Sequence, residues 1–147
     1  MKKRFALLKA LSWYEWRLLF CAILLLPLTA LTLHLFGFKR TQIFMSRFLH
    51  ADRSVNLPEV NSLQEASVVA RMVGVAARHG VYRANCLKQS LVLWWLLARC
   101  GILAEIKIGV QKGNTEHFAA HAWVECYGLS LDEPEDVWQR FSTFRLS

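Results

Sequence analysis

The sequence predicts an α+β fold in which a central helix led by a cysteine packs on a small antiparallel sheet, behind an N-terminal hydrophobic helical arm. Three observations carry this expectation. Apolar residues recur at helical spacing from Leu63 to Ala77 and from Leu87 to Leu97, the apolar period switches to two after Gly101, and no formally charged residue occurs from Leu18 to Phe38. At 147 residues, 54% hydrophobic and 20% charged, the chain is too apolar for intrinsic disorder and about as long as one domain, which excludes a multidomain machine.

The arm holds the excess charge. Nine basic residues against Glu15 and Asp52 fall in the stretch ending at Arg53, whereas the remainder carries nine of each sign, so the formal +7 belongs entirely to the first third. Positive charge beside a Leu-rich run suits an anionic membrane surface better than a nucleic-acid groove, and no nucleic-acid partner is expected. The 21 positions from Leu18 to Phe38, at about 1.5 Å each, match the roughly 30 Å of a hydrocarbon layer. Pro27 in mid-run, His34 near its end and basic residues on both flanks (Arg17, then Lys39 and Arg40) give no orientation and favour residence at the interface over a clean crossing. A secretory signal fits poorly, because charge extends to Arg17 and no small-x-small site follows. Residues 5–20 set Trp13 and Trp16 among Lys and Arg, as in an interfacial helix with aromatic anchors; docking of the arm on a partner protein is the alternative. Residues 39–61 read as a connection, dividing the chain into an arm over 1–55 and a second unit over 56–147.

In the second unit, Ser62-Leu-Gln-Glu65 forms a capping box ahead of a helix that stops at Gly80. The next helix starts near Asn85 or Cys86 and ends at Cys100, with Gly101 as its C-terminal glycine; apolar on most sides, it should be the buried, central one. A strand then alternates through Ala104, Ile106, Ile108 and Val110, and a turn signal at Gly113-Asn114 leads to a second run from His117 to Cys126. Its even positions form an apolar face, and its odd positions (His117, Ala119, His121, Trp123, Glu125) form the other. A turn at Tyr127-Gly128 allows a short third strand from Leu129 to Asp132, and Pro134 opens a terminal helix with Trp138, Phe141 and Arg145 at helical spacing.

The chemistry expected of these elements centres on Cys86. A cysteine in the first turn of a helix meets converging partial positive charge and unpaired N–H groups, which favour the thiolate and suit an oxyanion beside it. Cys100, at the negative end of the same helix, is a poor nucleophile, and Cys21 and Cys126 read as core. With no CxxC pair and one cysteine inside the apolar run, a disulfide framework is not expected and a reduced, cytosolic setting is. A thiol nucleophile needs a base, for which His121 in mid-strand and His117 beside the loop are the candidates. A two-residue turn at Tyr127-Gly128 makes strand partners sum to 255, which puts Asp132 opposite Trp123 on the His121 face; a three-residue loop would select Glu133 instead. No metal or other cofactor is expected, since Cys86, His121 and Cys126 lack a short-spaced ligand pair and no Gly-rich phosphate loop precedes a helix.

The runs Cys86-Leu-Lys-Gln-Ser-Leu-Val-Leu-Trp-Trp, Ile106-Lys-Ile-Gly-Val110, Ala120-His121-Ala122-Trp123-Val124-Glu125 and Leu131-Asp132-Glu133 together resemble the transglutaminase-like peptidases of lasso peptide biosynthesis, over about residues 60–133. The N-terminal third is similar to the hydrophobic leading segment of the stand-alone members, which act beside a separate leader-recognition protein. The resemblance implies a papain-like Cys-His-Asp endopeptidase that cuts the leader from a ribosomally made lasso precursor peptide, so that an asparagine-synthetase-like cyclase can close the new amino terminus onto an Asp or Glu side chain. Carried onto this chain, Cys86 is the nucleophile, His121 the base and Asp132 the orienting acid, with Glu133 as its alternative. Trp123 and Glu125 belong to the same motif without a role assigned. The expected setting is cytoplasmic and peripherally membrane-associated. The rival expectations are acyl transfer to an amine from the same fold, and a non-catalytic scaffold with Cys86 merely structural.

Overall fold

A computed structural model of the chain describes residues 11–47, 59–80, 84–111, 119–131 and 137–144. The order of elements is α1 (Trp13–Arg47), α2 (Glu59–His79), α3 (Cys86–Arg99), β1 (Glu105–Gln111), β2 (Ala120–Cys126), β3 (Leu129–Leu131), α4 (Val137–Arg140) and β4 (Phe141–Phe144). The strands form one antiparallel sheet in the order β3-β2-β1-β4, so the chain is α+β with a long apolar helix at its start.

Helix α1 opens on a capping box. The Ser12 N–H donates to the Glu15 carboxylate at 2.8 Å and the Glu15 N–H donates to the Ser12 hydroxyl at 3.2 Å. These bonds, together with the Arg71 guanidinium of α2, hold the Glu15 carboxyl below the usual carboxylate range. The helix passes through Pro27 and is interrupted at Gly37, whose φ of +76° suits glycine, before resuming to Arg47. Residues 39–47 are therefore helical, not the connection the sequence suggested. Thr41 and Met45, one turn apart, are buried, and the Trp95 indole of α3 donates to the Met45 carbonyl at 3.0 Å, satisfying one of the acceptors a helix end leaves unpaired. That partner lies far away along the chain, which is why local composition misread the segment.

The two sides of α1 meet different surroundings. Leu18, Leu19, Ala22 and Leu26 share a single core with Val69 and Val73 of α2 and Val92 and Leu96 of α3. At the N-terminal end the Tyr14 hydroxyl donates to Glu65 of α2 at 2.8 Å and lies 3.4 Å from the Cys100 sulfur that ends α3. The opposite side keeps Phe20, Leu24, Leu28, Leu31 and Leu35 exposed. Among the described residues α1 alone has the length and composition to cross a membrane, properties that the core helix of a soluble protein shares. The expected division at residue 55 falls outside the described residues.

Helix α2 begins at Glu59, a turn before the Ser62 box, and Ser62 is buried within it. The apolar spacing extends back from Leu63 to Val60, so the helix continues past the box, and it ends where expected, before Gly80. Helix α3 starts with Cys86 after the N-cap Asn85 and gives way to Gly101 at φ +77°, as read from the sequence. The turn at Tyr127 and Gly128 has both residues at positive φ, and the pairs Val124↔Leu131, Glu125↔Ser130 and Cys126↔Leu129 hold the expected register. The expected terminal helix is reduced to the single turn α4. From Phe141 the chain is strand β4, paired with β1 through Gln111↔Phe141 and Ile108↔Phe144. Four residues, Phe-Ser-Thr-Phe, are too few to be assigned by periodicity alone, and pairing with the open edge of β1 decides it.

This packing distinguishes the faces of α1 by stability. Leu26→Ala, at a position 1% exposed, should lower the unfolding free energy by about 2–5 kcal/mol, whereas Leu24→Ala should change it by less than about 0.5 kcal/mol. Denaturant midpoints of the two variants check this, and equal effects would mean that α1 is not held against the core.

Candidate active site

The sequence places Cys86 at a helix start through local chemistry. The Asn85 side chain accepts from the Lys88 N–H at 3.2 Å and its carbonyl from the Gln89 N–H at 3.1 Å, closing the first turn of α3. By helix geometry the N–H groups of Cys86 and Leu87 have no acceptor within the helix, so they and the helix dipole present partial positive charge at the thiol. The Gln89 amide donates to the Ala84 carbonyl at 2.9 Å, tying the approach to the helix onto its first turn. Cys86 is half-buried and unbridged.

The other three thiols are placed differently. Cys126 is buried on the even face of β2 and donates toward the Leu103 carbonyl at 3.4 Å, and burial pushes its thiol up from the ordinary range. Burial does the same to Cys100 at the far end of α3. Cys21 is exposed on α1, contrary to the core position expected for it, because it sits on the side of the helix turned away from α2 and α3. Among the described residues no group of His, Cys, Asp and Glu is arranged to hold a metal ion.

Cys86 and His121 line one cleft of about 240 Å³. Helix α2 supplies one wall through Ala70, Val73, Gly74 and Arg78, α3 the floor through Cys86, Gln89, Ser90 and Leu93, and β2 and β3 the other wall from His121 to Val124 and at Leu131. The lining mixes apolar side chains with polar ones, Arg78, Gln89, Ser90 and His121 among them. The structure thus brings together the thiol and the imidazole singled out in the sequence, while His117, Asp132 and Glu133 lie outside the described residues.

A thiol leading a buried helix and a histidine on an antiparallel strand thus line the same cleft. The family model of the transglutaminase-like superfamily matches residues 30–145. The chain belongs to that superfamily. Comparison with curated proteins gives no match, and comparison with solved structures gives none. Membership points to chemistry of the cysteine-peptidase or acyltransferase type, for which a thiol and an imidazole in one cleft are the needed groups.

Two residues of this transglutaminase-like domain gain roles that the sequence left unassigned. The Trp123 ring stacks on the His121 imidazole, with centroids 6.0 Å apart and planes 21° apart, and its N–H donates to the Glu125 carboxylate at 2.8 Å. Phe141 of β4 closes on the same imidazole at 5.3 Å. Gly109, paired with His121 across the ladder, makes room for this cluster: a Cβ there would stand 2.9 Å from the Phe141 Cβ and 3.0 Å from the Trp123 ring. The signal for Trp123 was present in the sequence, since positions 121, 123 and 125 share one strand face. Nothing local announced Phe141, which reaches the site only through the pairing of β4 with β1.

Glu125 is a buried acid anchoring that stack. Burial raises its carboxyl above the usual range, against the opposing pull of the Trp123 N–H and of Lys107, whose ammonium is 3.9 Å away. A carboxyl raised by folding contributes stability below its unfolded value, and that contribution is lost as pH rises through the folded value. Glu125→Gln keeps an acceptor for the Trp123 N–H and removes the titration. From about pH 4 upward, the ordinary glutamate value, the native protein should lose stability relative to the variant until the raised folded value is passed. Denaturant midpoints of both proteins across pH measure this, and parallel curves would contradict it.

Proposed function

We propose that this chain is a cysteine endopeptidase that removes the leader from a ribosomally made lasso precursor peptide. The observation that carries the reading is the cleft shared by Cys86, first residue of α3, and His121 of β2. The Cys86 sulfur attacks the carbonyl carbon of the scissile bond while its proton passes to the His121 imidazole. The N–H groups at the start of α3 are the donors available to the oxyanion that develops. Collapse breaks the C–N bond, the imidazole gives its proton to the leaving amine, and the leader stays on the sulfur as a thioester. Water then attacks that thioester, His121 takes a proton from it, and the sulfur departs. In this reading Asp132 orients the imidazole, with Glu133 as the alternative acid, and Trp123 is a positioning residue through its stack on the ring.

The amine released is the new terminus that an asparagine-synthetase-like cyclase closes onto an acidic side chain. A separate leader-recognition protein supplies the precursor at high local concentration. The enzyme works in the cytoplasm, held peripherally at a membrane by its N-terminal third. Superfamily membership favours one second reading, transfer of the acyl group to an amine, in which the product carries a new isopeptide in place of a free carboxylate.

Mass analysis of the precursor mixed with the chain and the recognition protein tests the reading. Cys86→Ala should lower cleavage by at least about 10³-fold and His121→Ala by at least about 10²-fold. Cys100→Ala and Cys126→Ser should keep the chemistry, with a folding cost of about 1–3 kcal/mol. Turnover retained by Cys86→Ala would end the nucleophile assignment. Without the recognition protein, cleavage at low precursor concentration should be slow; equal rates with and without it would remove that partner from the reading.

A further inference from the structure

We propose that α1 lies in the plane of an anionic membrane, its outward side among the upper acyl chains and its inward side still on the protein core. The inference deepens the peripheral location given above and rests on it. Phe20, Leu24, Leu28, Leu31 and Leu35 are each more than half exposed. They follow one another at helical spacing on the side opposite the buried Leu18, Ala22 and Leu26. The stripe from Phe20 to Leu35 is about 22 Å long at 1.5 Å per residue. Its ends are basic, with Arg17 before it and Lys39 and Arg40 after it, all exposed, and exposed Trp13 and Trp16 precede it.

The chemistry of the stripe selects its occupant. Protein interfaces form about one hydrogen bond per 100–200 Å². Between Arg17 and His34 the exposed side chains of α1 are Phe20, Cys21, Leu24, Pro27, Leu28 and Leu31, none of them a strong donor or acceptor. A surface of that kind fits hydrocarbon, which asks for no hydrogen bonds, while the cations at both ends meet anionic headgroups and the indoles sit at their level. A crossing helix is excluded by the same packing. Leu18, Leu19, Ala22 and Leu26 are shared with α2, whose Arg71 and Arg78 are exposed, so a transbilayer α1 would either draw those charges into the hydrocarbon or abandon the core.

Cys21 is a native reporter, exposed at the edge of the stripe. The full chain is mixed with vesicles of phosphatidylcholine alone or with added phosphatidylglycerol, and modification of Cys21 by a water-soluble maleimide is followed by peptide mass mapping. Labelling should persist in solution and with neutral vesicles and be lost with anionic ones. The bound protein should sediment with those vesicles and be released by high salt and by alkaline washing. Leu24→Glu combined with Leu28→Glu, both on the exposed side, should abolish vesicle binding while leaving precursor cleavage in solution unchanged. Resistance to alkaline washing would show a span, and equal binding to neutral vesicles would remove the role of the basic ends; either overturns the in-plane assignment alone. Protection of Cys21 by the recognition protein or the cyclase, with no vesicle binding, would overturn the peripheral location as well. Cys86→Ala should bind vesicles like the native chain, so failure of the peptidase reading registers separately.

Discussion

Burial of α3 from three directions is the constraint on which the rest of the structure depends. A helix that is apolar on most sides must be covered all round, and α1, α2 and the sheet do this together, with Leu91, Val92 and Leu97 fully enclosed. Covering the body of the helix leaves its start as the part that can meet a ligand. The first residue there is a thiol, half-buried beside N–H groups with no helical acceptor. The cleft is thus the opening left where α2 and β2 part around the beginning of a helix they otherwise enclose.

The second ingredient, the imidazole, is held by a different layer. Its position depends on the pleat of β2, which puts His121, Trp123 and Glu125 on one face, and on the missing side chain at Gly109. Trp123 is 2% exposed, so the stack on His121 is packed from behind and does not swing with solvent. The thiol is placed by a helix cap and the imidazole by an aromatic wall, and both line one cleft.

Legibility in the sequence followed the range of the interactions. The cap at Asn85, the glycine after Cys100 and the two-residue turn at Tyr127-Gly128 depend on residues a few positions apart, and each stands where the pattern put it. Cys86 and His121 were readable because a helix start and a strand face are local facts. The helix over residues 39–47 and strand β4 were not, since one is fastened by Trp95 and the other by β1, and no local pattern carries such a contact. The start of α2 failed for another reason: Ser62-Leu-Gln-Glu65 has the composition of a cap, but the apolar spacing runs on through it to Val60. The inner face of α1 was hidden because the helix is apolar on every side, so its sequence does not say which side meets protein.

The closeness of Gly109 to Phe141 makes β4 part of the imidazole's surroundings as well as of the sheet. Strands β1 and β2 pair along His121, and Trp123 walls one side of the imidazole. Its second wall arrives with β4, which also closes the open edge of β1. Loss of β4 would therefore remove an aromatic neighbour of the ring and open the edge of β1 together. A single four-residue strand thus couples completion of the sheet to the surroundings of the histidine.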